Sequence, residues 1–460
     1  MKSKKSILFV TPHFPPSQSV GTQRIAKFIK YLKQNGWEVH VLTLKKKYYQ
    51  GRTIIDYQFF LPDSIHVVRT GKIDVFLWWD RLKRKFTSHR NTLGDFGSDG
   101  STSVSSSWKA PVKKKASRII RVKEFITRMM QYPDRDNGWT FNVLIHAFKL
   151  IRRYKIPYVF LSSPPHSQYI ALNILHRFLN FIYIIDFRDP WARSQWSKQV
   201  HNFYEKTART LDLHYEGITL KKADIMIFNN EFLQQEYLNC YPNSGIIKKS
   251  IVLTNGFDPQ LVNAKQLLRP RTTRGAKDIV IIHTGTLYKK RNPIKIFKAF
   301  LKFREIHPKT SRRIHFKFVG HITPDLKYLY DYVHQQDLED QIKFFPSQPY
   351  DVAIQQMTNA DWLLILQPIT RIQVPAKFFD YLTVPRPIIG VVESESISEN
   401  LIQRLEVGLV SYNDSEASLM NFFSFITQTP HPEFKPNPQE MEHFMMPNIV
   451  KRFVSILPDR

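Results

Sequence analysis

Continuous apolar runs alternate with runs of helical period along most of the chain. Residues 6–11, "SILFVT", read as a strand buried on both faces, because no polar position alternates with the apolar ones. A proline-rich loop, "PHFPPSQSVG", follows at 12–21. Ile25, Phe28, Ile29 and Leu32 then recur on one helix face, and Gly36 stops that helix. The run "EVHVLT" at 38–43 is the next strand. Strand, loop, helix and strand in this order open a doubly wound parallel sheet.

The rhythm resumes at "TFNVLIHAFKLIRRY", a helix, followed by the strand "YVFLSS" and the loop "PPHS". A further helix leads to the strand ending in "IIDFRDPWA", then to a helical stretch around 200–222. "ADIMIFNN" (223–230) and "SIVLTNGFD" (250–258) read as strands. "LLRPRTTRGAKD" (267–278) has no apolar period and reads as a linker. A second α/β series begins at "IVIIHTGTLY" (279–288), with later strands at "IHFKFVG", "IKFFP", "WLLILQ" and "PIIGVV". Residues 72–136 break the pattern. Their centre, 88–117, is rich in Ser, Gly and Lys and reads as a mobile insertion. Its flanks carry Phe76, Leu77, Trp78 and Trp79 beside Arg81, Lys83, Arg84 and Lys85. That mixture suits either a membrane-surface contact or an ordinary amphipathic helix.

Composition narrows the class. With 42% hydrophobic and 23% charged residues the chain reads as a globular enzyme rather than a disordered protein. A formal net charge of +28 points to an acidic partner, such as phosphate groups, nucleic acid or an anionic membrane surface, or to a solvated basic surface. The single cysteine, Cys240, excludes an intrachain disulfide and suggests a reducing compartment. The apolar run near the N-terminus is too short for a secretory signal, and no stretch approaches the ~20 apolar residues of a spanning helix. A cytoplasmic protein is expected, with the inner face of the cell membrane as a candidate resting surface.

Candidate chemistry collects where the expected parallel strands end, the usual ligand edge of open α/β sheets. Gly21 lies just before the first helix, where backbone amides approach an anion closely, and Arg24 lies one turn in. A plain tight turn accounts for the same glycine, and the spacing is no dinucleotide fingerprint. In the second series Gly285 and Thr286 open a turn followed by Lys289, Lys290 and Arg291. Those cations suit a diphosphate through charge-assisted hydrogen bonds; a solvated basic face is the alternative. A helix starting near Pro375, with Lys377 in its first turn, offers free amides to an anion. Asp380 stands where ribose hydroxyls would need an acceptor, or else pairs with Lys377. His166 ends another strand, as a general base or merely as a hydrogen-bonded loop residue. In "DFRDPW", Arg188 and Asp189 are read as facing a reaction centre, with Asp186 orienting Arg188, and Pro190 and Trp191 walling the pocket. Mutual capping of the three charges is the other reading. The sequence shows no Ser-His-Asp order, H-E-x-x-H, P-loop or metal-ligand spacing.

As an ordered set these segments resemble the retaining glycosyltransferases of the GT-B fold, in the large family-4-type group. The first strand, glycine loop and helix carry the resemblance, with "LTNGFD" at the domain junction. "PDRDNGW", "SSPPHS", "DFRDPW", "HTGTLYKKRNP" and "VPAKFFDYLTVPRPIIG" are similar to a bacterial subgroup. The resemblance implies an α/β protein with two Rossmann-like doubly wound domains facing each other across a cleft. The expected division is an acceptor domain at 1–266, with the insertion at about 72–130, then the linker 267–278. A nucleotide-sugar domain at 279–435 and a helical segment at 436–460 crossing back would complete it.

The resemblance also implies roles. A nucleotide-diphosphate sugar would meet Gly285, Thr286, Lys290, Arg291, Pro375 and Lys377, with its ribose on Asp380. A glycan or lipid-linked acceptor would lie near Gly21, Arg24 and His166. Arg188, Asp189 and Arg291 would be the catalytic set, without metal or other cofactor. Three features depart from the family pattern. Its glutamate pair falls on Ile372 and Asp380, its later glycine on Pro385, and its mid-domain histidine on Arg188. The expected activity is retaining sugar transfer in cell-surface polysaccharide synthesis, with no nucleic acid partner. The other readings are a basic nucleic-acid-binding protein, which lacks a recognition module, and a GT-B nucleotide-sugar epimerase.

Overall fold

The computed structural model of this chain describes residues 5–17, 19–49, 61–62, 64–73, 132–134, 136–192, 203–242, 245–260 and 278–459. The insertion expected at about 72–130 lies outside them beyond residue 73, with its aromatic and basic flanks. So does the linker expected at 267–278, up to residue 277.

Two parallel sheets organise the described residues. The first contains β1 (Ser6–Val10), β2 (Glu38–Leu44), β3 (His66–Thr70), β4 (Tyr158–Ser163), β5 (Ile182–Phe187), β6 (Ile225–Phe228) and β7 (Ser250–Val252). Its spatial order is β3-β2-β1-β4-β5-β6-β7. The second contains β8 (Ile279–Thr284), β9 (Ile314–Val319), β10 (Ile342–Phe345), β11 (Trp362–Gln367), β12 (Ile388–Val392) and β13 (Gly408–Tyr412), in the order β10-β9-β8-β11-β12-β13. Strand order reverses at β1/β4 in one sheet and at β8/β11 in the other. Those are the switch points where doubly wound sheets open a crevice for ligands.

The buried runs explain the central strands. Every residue of β1, β4, β5, β8 and β11 is buried, because helices cover both faces. Helix α1 (Val20–Gln34) presents Ile25, Phe28, Ile29 and Leu32, each 0% exposed, to one face of the first sheet. The edge strands β3 and β13 were not read as strands, and their burial is mixed, whereas the edge strands β7 and β10 were read from short apolar runs. The strand read at 250–258 ends at Val252. Beyond it the backbone leaves the sheet: Phe257 N–H donates to the Phe444 carbonyl at 3.0 Å, and Met446 N–H donates to that of Phe257 at 2.9 Å.

The chain therefore crosses between the two cores twice. Phe257 packs among the second domain's buried residues. The helix Met446–Ser455 returns Met446, Ile449, Val450 and Phe453 to the core beneath β1 and β4. The Phe453 ring meets Phe28 and Phe160 edge-on, both at 5.7 Å. Among the described residues no helix is long and apolar enough to cross a membrane.

Phe453→Ala should destabilise the protein by about 3–5 kcal/mol, the usual cost of emptying a buried aromatic site. Urea unfolding of the full chain checks this. An unchanged midpoint would show that the returning helix adds nothing to the first domain.

Candidate functional site

Three loops leave adjacent strands β1, β4 and β5 and meet at one carbonyl. Pro164 O accepts from His13 Nε2 at 2.8 Å and from Arg188 Nη2. Arg188 Nε also donates to Ser163 O at 3.0 Å. Its guanidinium lies over Gly21, where an added Cβ would stand 2.0 Å from Nη1 and 2.7 Å from Cζ. The glycine of the first loop therefore makes room for Arg188. The Arg188 carbonyl is held in turn by the Asn229 amide.

The three charges of "DFRDPW" separate. Asp186, 0% exposed, does not orient Arg188. Its carboxylate takes Arg24 Nε at 3.0 Å and Nη2 at 2.8 Å, and also the Ser162 hydroxyl at 2.8 Å. Arg24 donates further to Leu253 O, Thr254 O and Asn255 Oδ1. All five N–H groups of a guanidinium are then used. The acceptor role expected for Arg24 is corrected on that ground: it is 3% exposed and has no donor left. Arg188 is held by carbonyls instead. Asp189 points across to the other domain, where Gln373 Nε2 donates to its Oδ1 at 3.3 Å.

Trp191 does not wall a pocket. It is 6% exposed, donates from Nε1 to Asp212 at 2.9 Å, and stacks on His166 with centroids 4.9 Å apart and planes 1° apart. Burial, aided by the Arg188 charge, pushes the His166 imidazole down to about 3. A base that weak is poorly matched to proton transfer near pH 7, so of its two readings the general base is the one disfavoured. Its loop is anchored by Asp134, whose carboxylate accepts from the backbone N–H of His166 at 2.7 Å and of Ser167 at 2.9 Å. Asp134 sits in "PDRDNGW", a segment carried only by its resemblance and not by any reading of its residues.

In the second domain Gly285 ends β8 with φ +149°, and Gly320 ends β9 with φ +155°. A Cβ on Gly320 would strike Gly285 O at 2.0 Å, so the two turns interlock because both are glycine. Thr286 is exposed. Arg291 packs its guanidinium 5.4 Å from the Tyr288 ring, and its Nε is buried without a hydrogen-bond partner. Lys290 is half-buried, and desolvation lowers its amine. Lys377 Nζ lies 3.4 Å from Asp380 Oδ2. Pro375 precedes the helix Ala376–Tyr381, only six residues long, which weakens the dipole expected at that end.

Asp380 is 1% exposed and faces the first domain. Lys27 Nζ of α1 approaches its Oδ1 at 3.8 Å, and the Tyr350 hydroxyl at 3.4 Å. In this conformation Oδ1 joins the domains, while Oδ2, beside Lys377, is buried without a hydrogen-bond partner. Asn230 Nδ2 donates to Ile372 O at 3.1 Å, a second cross-domain bond. Sequence reasoning missed Lys27, Gln373 and Asn230. Each acts through a partner more than a hundred residues away, which no local pattern reveals. Beside these contacts a crevice of about 50 Å³ separates Asn229, Asn230 and Thr254 from Val374, Phe379 and Arg404. Among the described residues no group of three or more His, Cys, Asp or Glu could hold a metal.

No family model matches the chain. No curated protein matches it either. Solved structures do. Sucrose-phosphate synthase from Thermosynechococcus elongatus is 14% identical with a TM-score of 0.61, covering 98% of both chains. HepE from Anabaena, in complex with UDP and glucose, is 11% identical with a TM-score of 0.62, again covering 98% of both chains. WaaG, a glycosyltransferase involved in lipopolysaccharide biosynthesis, is 11% identical with a TM-score of 0.54 and covers 98% of this chain and 95% of its own. With its two facing parallel sheets, this chain has the GT-B fold that these full-length neighbours share.

Proposed function

We propose that the chain is a glycosyltransferase moving a sugar from a nucleotide diphosphate to a glycan or lipid-linked acceptor in cell-surface polysaccharide synthesis. The observation that carries this reading is Arg291. Its Nε is buried without a partner, and no carboxylate forms an ion pair with it among the described residues. Its charge acts on His283, next to the Gly285 turn. A buried N–H without a partner on a half-exposed guanidinium calls for an acceptor, and a diphosphate supplies one. The GT-B fold adds support, since the HepE neighbour was solved with UDP and with UDP-glucose.

In this reading Arg291, Lys290 and Lys377 stabilise the charge that grows on the departing diphosphate, the largest electrostatic demand of the reaction. The bond from the anomeric carbon to the diphosphate oxygen breaks. A bond from that carbon to an acceptor hydroxyl oxygen forms on the same face, so configuration is retained. The acceptor proton passes to the leaving diphosphate, which suits a site where His166 is a poor base. Arg188 and Asp189 border the reaction space from the first domain, and the protein's own cations serve in place of a metal. A lipid-linked acceptor and a charge of +28 together favour work at an anionic cytoplasmic membrane surface.

Arg291→Ala should lower kcat/KM by about 10²–10³-fold at unchanged melting temperature, as the loss of one charge-stabilising donor does elsewhere. Nucleoside diphosphate release from a nucleotide-sugar panel reads this, and undiminished turnover would contradict it. Gly21→Ala probes the other side. The added methyl group would meet Arg188 Nη1 and Cζ and, at 2.9 Å, the His13 ring, so both side chains must shift and melting should fall modestly. Turnover should fall about tenfold to a hundredfold through misplacement of the guanidinium. Wild-type activity in that variant would remove Arg188 from the reaction centre.

A further inference from the structure

We propose that His283 selects the donor: its Nε2 accepts a hydrogen bond from a hydroxyl of the bound nucleotide sugar. The inference rests on the nucleotide-sugar reading and adds to it a residue that neither the motifs nor the resemblance singled out. His283 lies near the end of β8 and is 3% exposed. Its Nδ1 is 2.9 Å from Leu364 O. A carbonyl only accepts, so Nδ1 carries the proton and the neutral ring presents Nε2 as a lone pair.

That Nε2 is buried and has no partner. More than about nine in ten buried polar groups are satisfied, so an orphan at a ligand edge indicates a partner that arrives with the ligand. The atom faces the Gly285 turn, where a Cβ would stand 3.5 Å from it. A side chain there would sit in van der Waals contact with Nε2, so the glycine keeps the approach to the imidazole clear of side-chain atoms. Arg291 and Lys377 are the charged groups acting on the ring, and the Tyr381 hydroxyl shares Leu364 O at 3.3 Å. Burial and the two cations hold the imidazole down to about 4, leaving it neutral at physiological pH. A diphosphate at that pH has no proton to offer an acceptor. The hydroxyls flanking it, on the transferred sugar and on the ribose, do.

The test is calorimetric binding of UDP-, GDP- and dTDP-linked hexoses, each beside its free nucleoside diphosphate, to the full-length protein. His283→Asn keeps an amide donor for Leu364 O and removes the acceptor at the Nε2 position. It should weaken the best-binding nucleotide sugar about tenfold, the value of one hydrogen bond to a buried group. His283→Gln, which places an amide oxygen near that position, should recover most of the loss. If the Asn variant loses its cooperative melt, His283→Phe, which fills the ring's space, gives the same comparison. A loss confined to the nucleotide sugar assigns the hydroxyl to the transferred sugar. A loss shared with the free diphosphate assigns it to the ribose, and either supports the proposal. Wild-type affinity in His283→Asn overturns it. So does proton uptake by the wild type on binding that the Asn variant abolishes, because the ring would then be a cation on phosphate. If Arg291→Ala loses binding and His283→Asn does not, this inference fails while the function stands. If no probe binds the wild type, both fail.

Discussion

One buried guanidinium organises the first domain's half of the cleft. Arg24 spends all five N–H groups on Asp186, Leu253, Thr254 and Asn255. Helix α1, strand β5 and the segment leaving β7 are thereby fastened at one point. Such a pair is a weak source of net stability, yet removing either partner leaves a charge stranded in the interior. Its structural value is in what it excludes. Asp186 is fully engaged, and the two charged residues just beyond its strand take other partners. Arg188 turns onto the carbonyls of Ser163 and Pro164, and Asp189 reaches toward Gln373.

The second domain shows the complementary condition. Its cations around Gly285 are less well paired than the guanidinium of Arg24. Lys377 shares Asp380 with Lys27, while Arg291 has an aromatic ring and a buried nitrogen without a partner. Burial lowers the Lys27 amine, offset by Asp380 and Asp258. The contacts between domains combine this ion pair with two amide hydrogen bonds, which makes closure a polar event as well as an apolar one. The half of the cleft to which the diphosphate is assigned by the proposal is thus the half whose charges are less fully paired.

The fold was readable because its central strands are apolar at nearly every position and its helices keep one apolar face. Two of the four edge strands escaped, β3 and β13, where half-exposed segments such as "HVVRT" lose that contrast. Gly21 and Gly285 were readable as special positions but not for their reasons, and Gly320 was not singled out. Gly21 admits an arginine from 167 residues along the chain, and Gly320 admits the Gly285 carbonyl. Charge partners were the least legible. Asp186 has Arg188 two residues away and binds Arg24, 162 residues away, because β5 delivers its carboxylate beside α1 while the chain turns Arg188 outward. His283 opens the quoted segment "HTGTLY" but was given no role, since a histidine in an apolar strand reads as core until its second nitrogen is found without a partner.

The central claim is that the cations beside Gly285 hold a nucleotide diphosphate. Thermal melting of the full-length protein against nucleoside diphosphates, nucleotide sugars and a polynucleotide tests it most directly. A ligand at about a hundred times its Kd stabilises the folded state by about 2.7 kcal/mol. The account predicts a melting rise with at least one nucleoside diphosphate and its sugar, surviving at physiological salt. A rise with the polynucleotide alone would contradict it.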